Sequence, residues 1–194
     1  MLDAKSGNQT TQPNVIQSWT NDPIVSPVTN QELADFLAVD PTDPLLSGLA
    51  LSATAAVMKF VNVELVRRNW HWQADRYPER QAAYLGVGSM PAQSQWWVTL
   101  PAWPLVSVES VTADDFEFEA HSSRLFVHKP EYPLTVEYTA GYETEDVPDI
   151  YKQAIMMLAA YMYEHRGDCD ANEAGRKSGA FGILAPYKRF VGGL

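Results

Sequence analysis

The chain has 194 residues and a mass of 21.6 kDa, which allows one ordinary domain with appendages and excludes a large multidomain enzyme. Apolar residues make up 46% and aromatic residues 11%, so the chain can bury a hydrophobic core and is not disordered throughout. A formal charge of −10 excludes the broad basic surface that a nucleic-acid-binding protein requires.

The cysteine content limits the cellular compartment and the kinds of metal site that the chain can form. Cys169 is the only cysteine, so the chain can form neither an internal disulfide nor a cysteine-based zinc site, and we expect a cytosolic protein. The first residues lack the charged and apolar segments of a secretion signal. The longest apolar run, residues 154–163, is far shorter than the roughly 20 residues that cross a bilayer, so we expect no membrane span.

Residues 1–28 are predicted to form an extended N-terminal arm. They are rich in Asn, Gln, Ser and Thr, contain three prolines, and show no helix or strand period. Two interpretations stay open: an unstructured terminus, or a segment that becomes ordered against a neighbouring subunit. In the second case the candidate anchors are the apolar residues Val15, Ile16, Trp19, Ile24 and Val25.

Two helices are predicted within residues 29–63. Thr29 and Glu32 have the spacing of a capping box, which predicts a short helix up to about Leu37. Asp43 followed by Pro44 predicts a second helix, with the aspartate as N-cap and the proline in its first turn, running to about residue 63. Its apolar residues recur at steps of three and four, so it should present one apolar stripe: Leu46, Leu49, Ala53, Ala56 and Phe60.

Residues 64–142 are predicted to form an antiparallel β module. From Glu64 the polarity alternates with the period of a strand, which places Trp70 and Trp72 on the same face. Further strands are predicted at residues 96–100, 106–111, 116–118, 125–128 and 134–138. Turns are predicted at residues 113–115 and 129–131, and prolines 101 and 104 predict an irregular segment around Trp103.

Residues 143–180 are predicted to form a third helix and a polar loop. Asp146 is the expected cap, Pro148 the expected first-turn residue, and residues 154–163 an apolar body ended by Gly167. Residues 168–179 are predicted to be a loop, and residues 181–194 a short, partly helical tail. The predicted fold class is therefore α+β, a small helical bundle in which helices from both chain ends pack together and the β module is inserted between them.

No residue set points to catalysis or to a cofactor. Only His165, with Asp168 and Cys169 nearby, suggests a metal grouping, and its spacing is not that of a metal site, so we expect no catalytic, cofactor or metal residues and no enzyme. The tryptophans leave an alternative open. Trp70, Trp72, Trp96 and Trp97 would serve as core residues, or as a stacking platform of a carbohydrate-binding module.

Charge is distributed unevenly along the chain. Eleven acids and only two bases lie between residues 109 and 149, whereas no acid follows Glu173. The bases after that point are Arg176, Lys177, Lys188 and Arg189. This polarity favours a basic tail that docks on an acidic partner and an acidic body that avoids phosphate, although a solvated surface without a partner explains it equally well.

A set of short motifs lies in a characteristic order over about residues 28 to 190. It comprises VTNQEL (28–33), DPLL (43–46), LPAWPL (100–105), SVESVT (107–112), VEY (136–138), GY (141–142), VPDIYKQAI (147–155), YEHR (163–166) and LAPY (184–187). In this order the motifs resemble the head–tail connector, or adaptor, proteins of tailed bacteriophages.

The resemblance implies a structural virion protein made in the host bacterial cytoplasm and located in the neck. It implies a homo-oligomeric ring, expected to be a dodecamer, that sits under the portal protein, extends the DNA channel and receives a stopper or tail-completion protein. Double-stranded DNA would pass without specific binding, and no membrane would be contacted. The C-terminal segment is the implied portal-docking tail, with Leu184, Ala185, Pro186, Tyr187, Lys188, Arg189 and Phe190 as candidate contacts.

The charge distribution predicts which residues of such a ring would face the DNA. Each Lys or Arg contact to a phosphate adds affinity for DNA, so a channel wall that lets DNA slide should be acidic. We therefore expect four acids to face the channel: Asp114, Asp115, Glu117 and Glu119. We also expect that deletion of residues 184–194 leaves the fold intact and abolishes portal binding.

Overall fold

Helices from both ends of the chain pack into one helical body in the computed structural model, which describes residues 15–19, 24–75, 96–165 and 170–190. In chain order the helices are α1 (Asn30–Leu37), α2 (Leu45–Val61), α3 (Asp149–Glu164), α4 (Ala171–Lys177) and α5 (Ala180–Leu184). Their buried side chains form a single core that includes Leu33, Leu46, Val57, Ile155 and Leu158. The predicted α+β class, with a helical bundle around an inserted β module, is confirmed.

The start of the body follows from local sequence signals. The Thr29 N–H donates to the Glu32 carboxylate at 2.7 Å and the Glu32 N–H donates to the Thr29 hydroxyl at 3.2 Å, which confirms the capping box. At the second helix the Asp43 carboxylate accepts from the Leu45 N–H at 2.9 Å, and Pro44 occupies the cap position, one residue later than predicted. The predicted stripe of α2 faces the core, with Leu46 and Ala53 fully buried.

Within the described residues, seven strands form two antiparallel sheets. In chain order they are β1 (Val15–Trp19), β2 (Arg68–Ala74), β3 (Trp96–Thr99), β4 (Leu105–Val111), β5 (Ala113–Glu119), β6 (Arg124–Pro130) and β7 (Leu134–Ala140). One sheet has the order β1-β2-β7-β4 and the other the order β3-β6-β5. Strands β2 to β7 form the β module, whose separate core includes Trp72, Leu125, Val127, Val136 and Tyr138.

A glycine closes the junction between the β module and the helical body. Gly141 follows β7 with a φ of +113°, and an added Cβ would lie 2.3 Å from the Val66 carbonyl oxygen. Its N–H donates to the Pro104 carbonyl at 2.9 Å, and the neighbouring Tyr142 carbonyl accepts from the Arg67 N–H at 2.8 Å. Both the conformation and the close approach require glycine, so this position fixes how the chain leaves the module.

Three predictions about the strands were wrong in part. β1 forms within the arm, where no strand was expected, because it pairs antiparallel with β2 over five residues. β2 begins at Arg68 and not at Glu64. Residues 113–115 and 129–130 were predicted as turns, yet Ala113 pairs with Pro130 and Asp115 with His128, so ladder pairing extends both strands through these polar residues.

Two predictions about the C-terminal helices were also wrong in part. Asp146 ends a short 3₁₀ turn and does not cap α3, because Val147 and Pro148 are extended and the helix begins at Asp149. The segment predicted as a polar loop contains α4, which begins where the Asp170 carboxylate accepts from the N–H groups of residues 172 and 173. Gly167, the predicted end of the third helix, lies outside the described residues.

Candidate functional site

The C-terminal tail runs across the surface of the helical body. A 3₁₀ turn, Ala185–Tyr187, follows α5, and Lys188 continues the chain in an extended conformation. Leu184 was predicted as a portal contact, but it is fully buried in the body core and is not exposed to a partner. The burial of Leu184 also argues against the expectation that removal of residues 184–194 spares the fold, since the deletion would remove a core side chain.

Arg189 ties the tail to both parts of the molecule. Its N–H donates to the Val61 carbonyl at the end of α2 at 2.8 Å. Its Nη1 donates to the Pro101 carbonyl at 3.1 Å, and its guanidinium lies 5.7 Å from the centre of the Trp103 ring. Partial burial lowers the pKa of this guanidinium, with a smaller opposing effect from Tyr138. These contacts make Arg189 an internal anchor, whereas it was predicted as a portal contact.

The rest of the predicted docking set is exposed. Tyr187 is 50% exposed and Phe190 84%, and Ala185, Pro186 and Lys188 are exposed as well. Pro186, Tyr187, Lys188 and Phe190 are called the tail surface here. The Lys188 Nζ lies 5.3 Å from the centre of the Phe60 ring and 6.0 Å from that of Phe190, so a cation sits between two aromatic rings.

Packed aromatic rings form the base of the tail surface. Phe60 stacks on Phe181 with ring centres 4.0 Å apart, and Tyr151 meets Tyr187 edge to face at 6.2 Å. Phe60 and Phe181 also pack in the body core, so the tail surface is in contact with residues of that core. It combines an uncovered apolar side chain with a cation, which fits a partner that offers an apolar pocket beside a carboxylate.

The four predicted channel acids do not all share one face. All four lie on β5, which forms an edge of its sheet, and all are exposed. Strand alternation places Asp115, Glu117 and Glu119 on one face and Asp114 on the other, together with Phe116, which is half-buried and packs against the module core. Glu119 accepts a hydrogen bond from the Ser122 hydroxyl at the following turn. Three of the four acids therefore form a group, which is called the acidic face here.

The tryptophans give little support to a carbohydrate platform. Trp70 and Trp72 lie on one face, as predicted, but they are 6% and 2% exposed and belong to the core of the β module. A buried ring cannot stack on a sugar, so half of the predicted platform is absent. The side chains of Trp96 and Trp97 lie outside the described residues.

Sequence reasoning missed a buried ion pair at the junction. The Arg68 Nη2 lies 2.5 Å from the Glu64 carboxylate, and the two side chains are 5% and 15% exposed. Burial raises the pKa of Glu64, and the hydrogen bond and charge of Arg68 oppose this shift in part. Arg68 falls on the same strand face as Trp70 and Trp72, and this parity was the signal that it would be buried.

The ion pair lies in a cleft of about 400 Å³ between the helical body and the β module. Met58 and Val63 line it on the helical side, and Trp70 and Trp103 on the side of the module. Because Glu64 and Arg68 neutralise each other, the cleft has no uncompensated charge from this pair for a ligand. We interpret it as the seam between the two cores.

The described residues offer no metal or membrane site. Within them, no group of three or more His, Cys, Asp or Glu side chains could hold a metal ion. His165 stacks on Tyr161 at 4.1 Å, with its Nδ1 3.1 Å from the Tyr161 carbonyl oxygen, while Asp168 and Cys169 lie outside the described ranges. None of the described helices combines the length and the hydropathy that crossing a bilayer requires.

Comparisons with known proteins identify the fold. No family model matches the sequence, and no curated protein matches it. Among solved structures, the chain is similar to one in the neck of an empty GTA particle computed with C6 symmetry, with 19% identity and a TM-score of 0.65. It is also similar to chains in the virion of a native gene transfer agent (GTA) particle (17%, TM-score 0.61) and in the neck of a native GTA particle computed with C12 symmetry (20%, TM-score 0.60).

These similarities extend over nearly the whole of both proteins. Each covers 92% of this chain and 98% of the other, so the match takes in both the helical body and the β module. At these identities the comparison shows a shared fold. The resemblance to head–tail connector proteins, drawn from ordered sequence motifs, is confirmed at the level of the fold.

Proposed function

We propose that this chain is a structural neck protein, a head-to-tail adaptor that joins a DNA-filled capsid to its tail. The observation that carries the proposal is the fold shared over 92% of this chain with chains from necks of GTA particles. The contacts of the described residues serve packing and surface display, which suits a structural role and no reaction.

The adaptor acts as a ring under the portal protein. The similar neck structures were computed with C6 and C12 symmetry, which supports a cyclic assembly, and a dodecamer matches the second of these. α2 has a face suited to a neighbouring subunit, since Leu45 and Leu51 are exposed and nothing lies within 4 Å of a Cβ added at Gly48. A stopper or tail-completion protein would bind the opposite side of the ring.

The tail surface is the portal-docking element. Pro186, Tyr187, Lys188 and Phe190 are exposed on a base of packed aromatic rings, and no acid follows Glu173 to repel an acidic partner. Phe190 is the principal anchor, because an aromatic side chain that is 84% exposed gains most from burial in an interface.

A paired substitution tests this docking role. Phe190→Ala should weaken binding to the cognate portal protein by about tenfold or more, because loss of an aromatic anchor costs about 2 kcal/mol in an interface. Phe36→Ala is the matched control, since Phe36 is an exposed aromatic residue on α1, away from the tail. Binding is measured by light scattering or interferometry with purified portal rings. Equal affinity of both variants would contradict docking through the tail.

The acidic face is proposed to line the DNA channel. The exposed carboxylates of Asp115, Glu117 and Glu119 share one strand face, and a wall of carboxylates repels phosphate. A ring in which these three side chains point to the outer wall would overturn this part of the proposal.

A further inference from the structure

Arg189 is the residue through which the tail touches both halves of the molecule. Its backbone N–H is bonded to the end of α2, at the Val61 carbonyl (2.8 Å). Its side chain reaches the segment between β3 and β4, where it contacts the Pro101 carbonyl (3.1 Å) and the Trp103 ring (5.7 Å). One residue therefore joins the tail to the helical body and to the β module at once.

The receiving site for Arg189 is itself held from several sides. The Trp103 Nε1 donates to the His121 carbonyl in the β5–β6 turn at 3.2 Å, and the Trp103 ring meets Tyr142 edge to face at 6.3 Å. The Trp103 carbonyl accepts from the Glu64 N–H at 2.7 Å. The guanidinium thus rests on a ring whose position is set by the β5–β6 turn, by Tyr142 and by Glu64, which precedes β2.

The two residues that flank Arg189 in the chain are exposed to solvent, whereas Arg189 is not fully exposed. Arg189 is half-buried, whereas Lys188 and Phe190 are exposed and lie close to each other, with Nζ 6.0 Å from the ring centre. Neighbouring residues of an extended chain project to opposite sides. Anchoring of Arg189 inward therefore turns both Lys188 and Phe190 outward.

We infer that Arg189 is a positioning residue, which acts as a latch that fixes the tail surface in its docking conformation and ties that conformation to the β module. The inference rests on the proposed docking role and deepens it. The portal meets a tail that is already ordered, so less conformational freedom is lost on binding. Arg189 itself stays on Pro101 and Trp103 in the complex and does not contact the portal.

Hydrogen exchange in the free, full-length protein tests the latch without the portal. The Arg189 amide should exchange at least about tenfold faster in Arg189→Ala, because the side-chain anchor that keeps the tail closed is lost while the amide itself remains. Lys188→Ala is the matched control, since it removes an adjacent exposed cation, and should change the rate by less than about twofold. Unchanged protection of the amide in Arg189→Ala would overturn the inference.

Portal affinity of the same variants separates positioning from direct contact. Arg189→Ala should weaken binding by roughly tenfold, and Arg189→Lys should resemble it, because a lysine keeps the charge but not the planar group that stacks on Trp103. Wild-type affinity of Arg189→Lys, or weaker binding of Arg189→Ala without faster exchange, would show a charge contact and overturn the latch. If the wild-type protein binds no portal, the proposed function fails, and the exchange result still decides whether the latch exists.

Discussion

The helical body and the β module bury separate cores, and they are stabilised in different ways. The body is built from local signals: a capping box at Thr29 and an apolar stripe along α2. The module depends on pairing between distant strands, such as β2 with β7, and its separate core holds Trp70 and Trp72. The helical body should therefore tolerate changes on the module's surface, while changes at the seam should destabilise both the body and the module.

The two regions also differ at their surfaces. The body ends in a basic tail whose aromatic base belongs to its core, and the module displays the acidic face on β5. The contacts at the seam include the Gly141 turn, the Glu64–Arg68 ion pair and the packing of Arg189 on Trp103.

Truncation of the tail at two positions should separate fold from docking. Deletion of residues 184–194 should abolish cooperative unfolding or lower its midpoint strongly, because truncation of a buried leucine such as Leu184 alone costs about 3 kcal/mol. Deletion of residues 188–194 keeps Leu184 and should retain a cooperative transition while portal binding is lost. Thermal unfolding followed by circular dichroism compares them. Identical midpoints for the two truncated proteins would show that the tail is not part of the body core.

Gly141→Ala should destabilise the seam by at least about 3 kcal/mol, because a side chain at this positive φ is strained and its Cβ would meet the Val66 backbone. Gly48→Ala is the matched control, since Gly48 lies in α2 with open space around it. Alanine there should raise stability by about 0.5–1 kcal/mol through helix propensity. Urea unfolding measures both, and a neutral result for Gly141→Ala would contradict the seam described here.

Arg68→Met should cost about 3 kcal/mol at pH 7, because it leaves the buried carboxylate of Glu64 without its partner. The pKa of Glu64, already raised by burial, would rise further in the variant. A raised carboxyl pKa costs stability above that pKa, and the cost disappears as the pH falls below the unfolded value of 4.5. The deficit should therefore be largest near neutral pH and shrink towards pH 4.

Arg67→Met supplies the control for that experiment. Arg67 is the neighbouring residue, half-exposed, and its ion pair with Glu143 lies at the surface. Its loss should cost less than about 1 kcal/mol at neutral pH. Equal deficits for the two arginines, or a deficit of Arg68→Met that grows towards low pH, would refute the buried pair.

Charge reversal of the acidic face should have the smallest effect on stability. Lysines at positions 115, 117 and 119 should change the free energy of unfolding by less than about 1 kcal/mol, because these side chains are exposed. Assembled with the portal, the variant should retain double-stranded DNA at low salt, with an affinity that falls steeply as salt rises. Asp114→Lys, on the opposite face, is the control. Equal DNA retention by control and triple variant would argue against an acidic channel wall.

The sequence predicted those elements whose signals are local. The capping box, the stripe of α2 and the shared face of Trp70 and Trp72 depend on neighbouring residues, and the structure confirms them. The ordered motifs predicted a fold that this chain shares with solved structures of only 17–20% identity.

The sequence did not predict what long-range contacts decide. β1 exists because β2 offers it an edge, and residues 113–115 extend β5 because β6 pairs with them, although their own composition favours a turn. The tail was treated as one docking unit. Its residues in fact lie in three places: Leu184 in the body core, Arg189 at the seam and Phe190 on the surface.

Cryo-electron microscopy of the full-length chain mixed with its cognate portal tests the adaptor role most directly. The account predicts a ring stacked on the portal, with Tyr187 and Phe190 in contact with portal residues and Arg189 still on Trp103. A ring that meets the portal through the β module, with the tail pointing away, would contradict the docking surface. Failure to form any complex across a range of salt concentrations would leave a neck-protein fold without the proposed adaptor function.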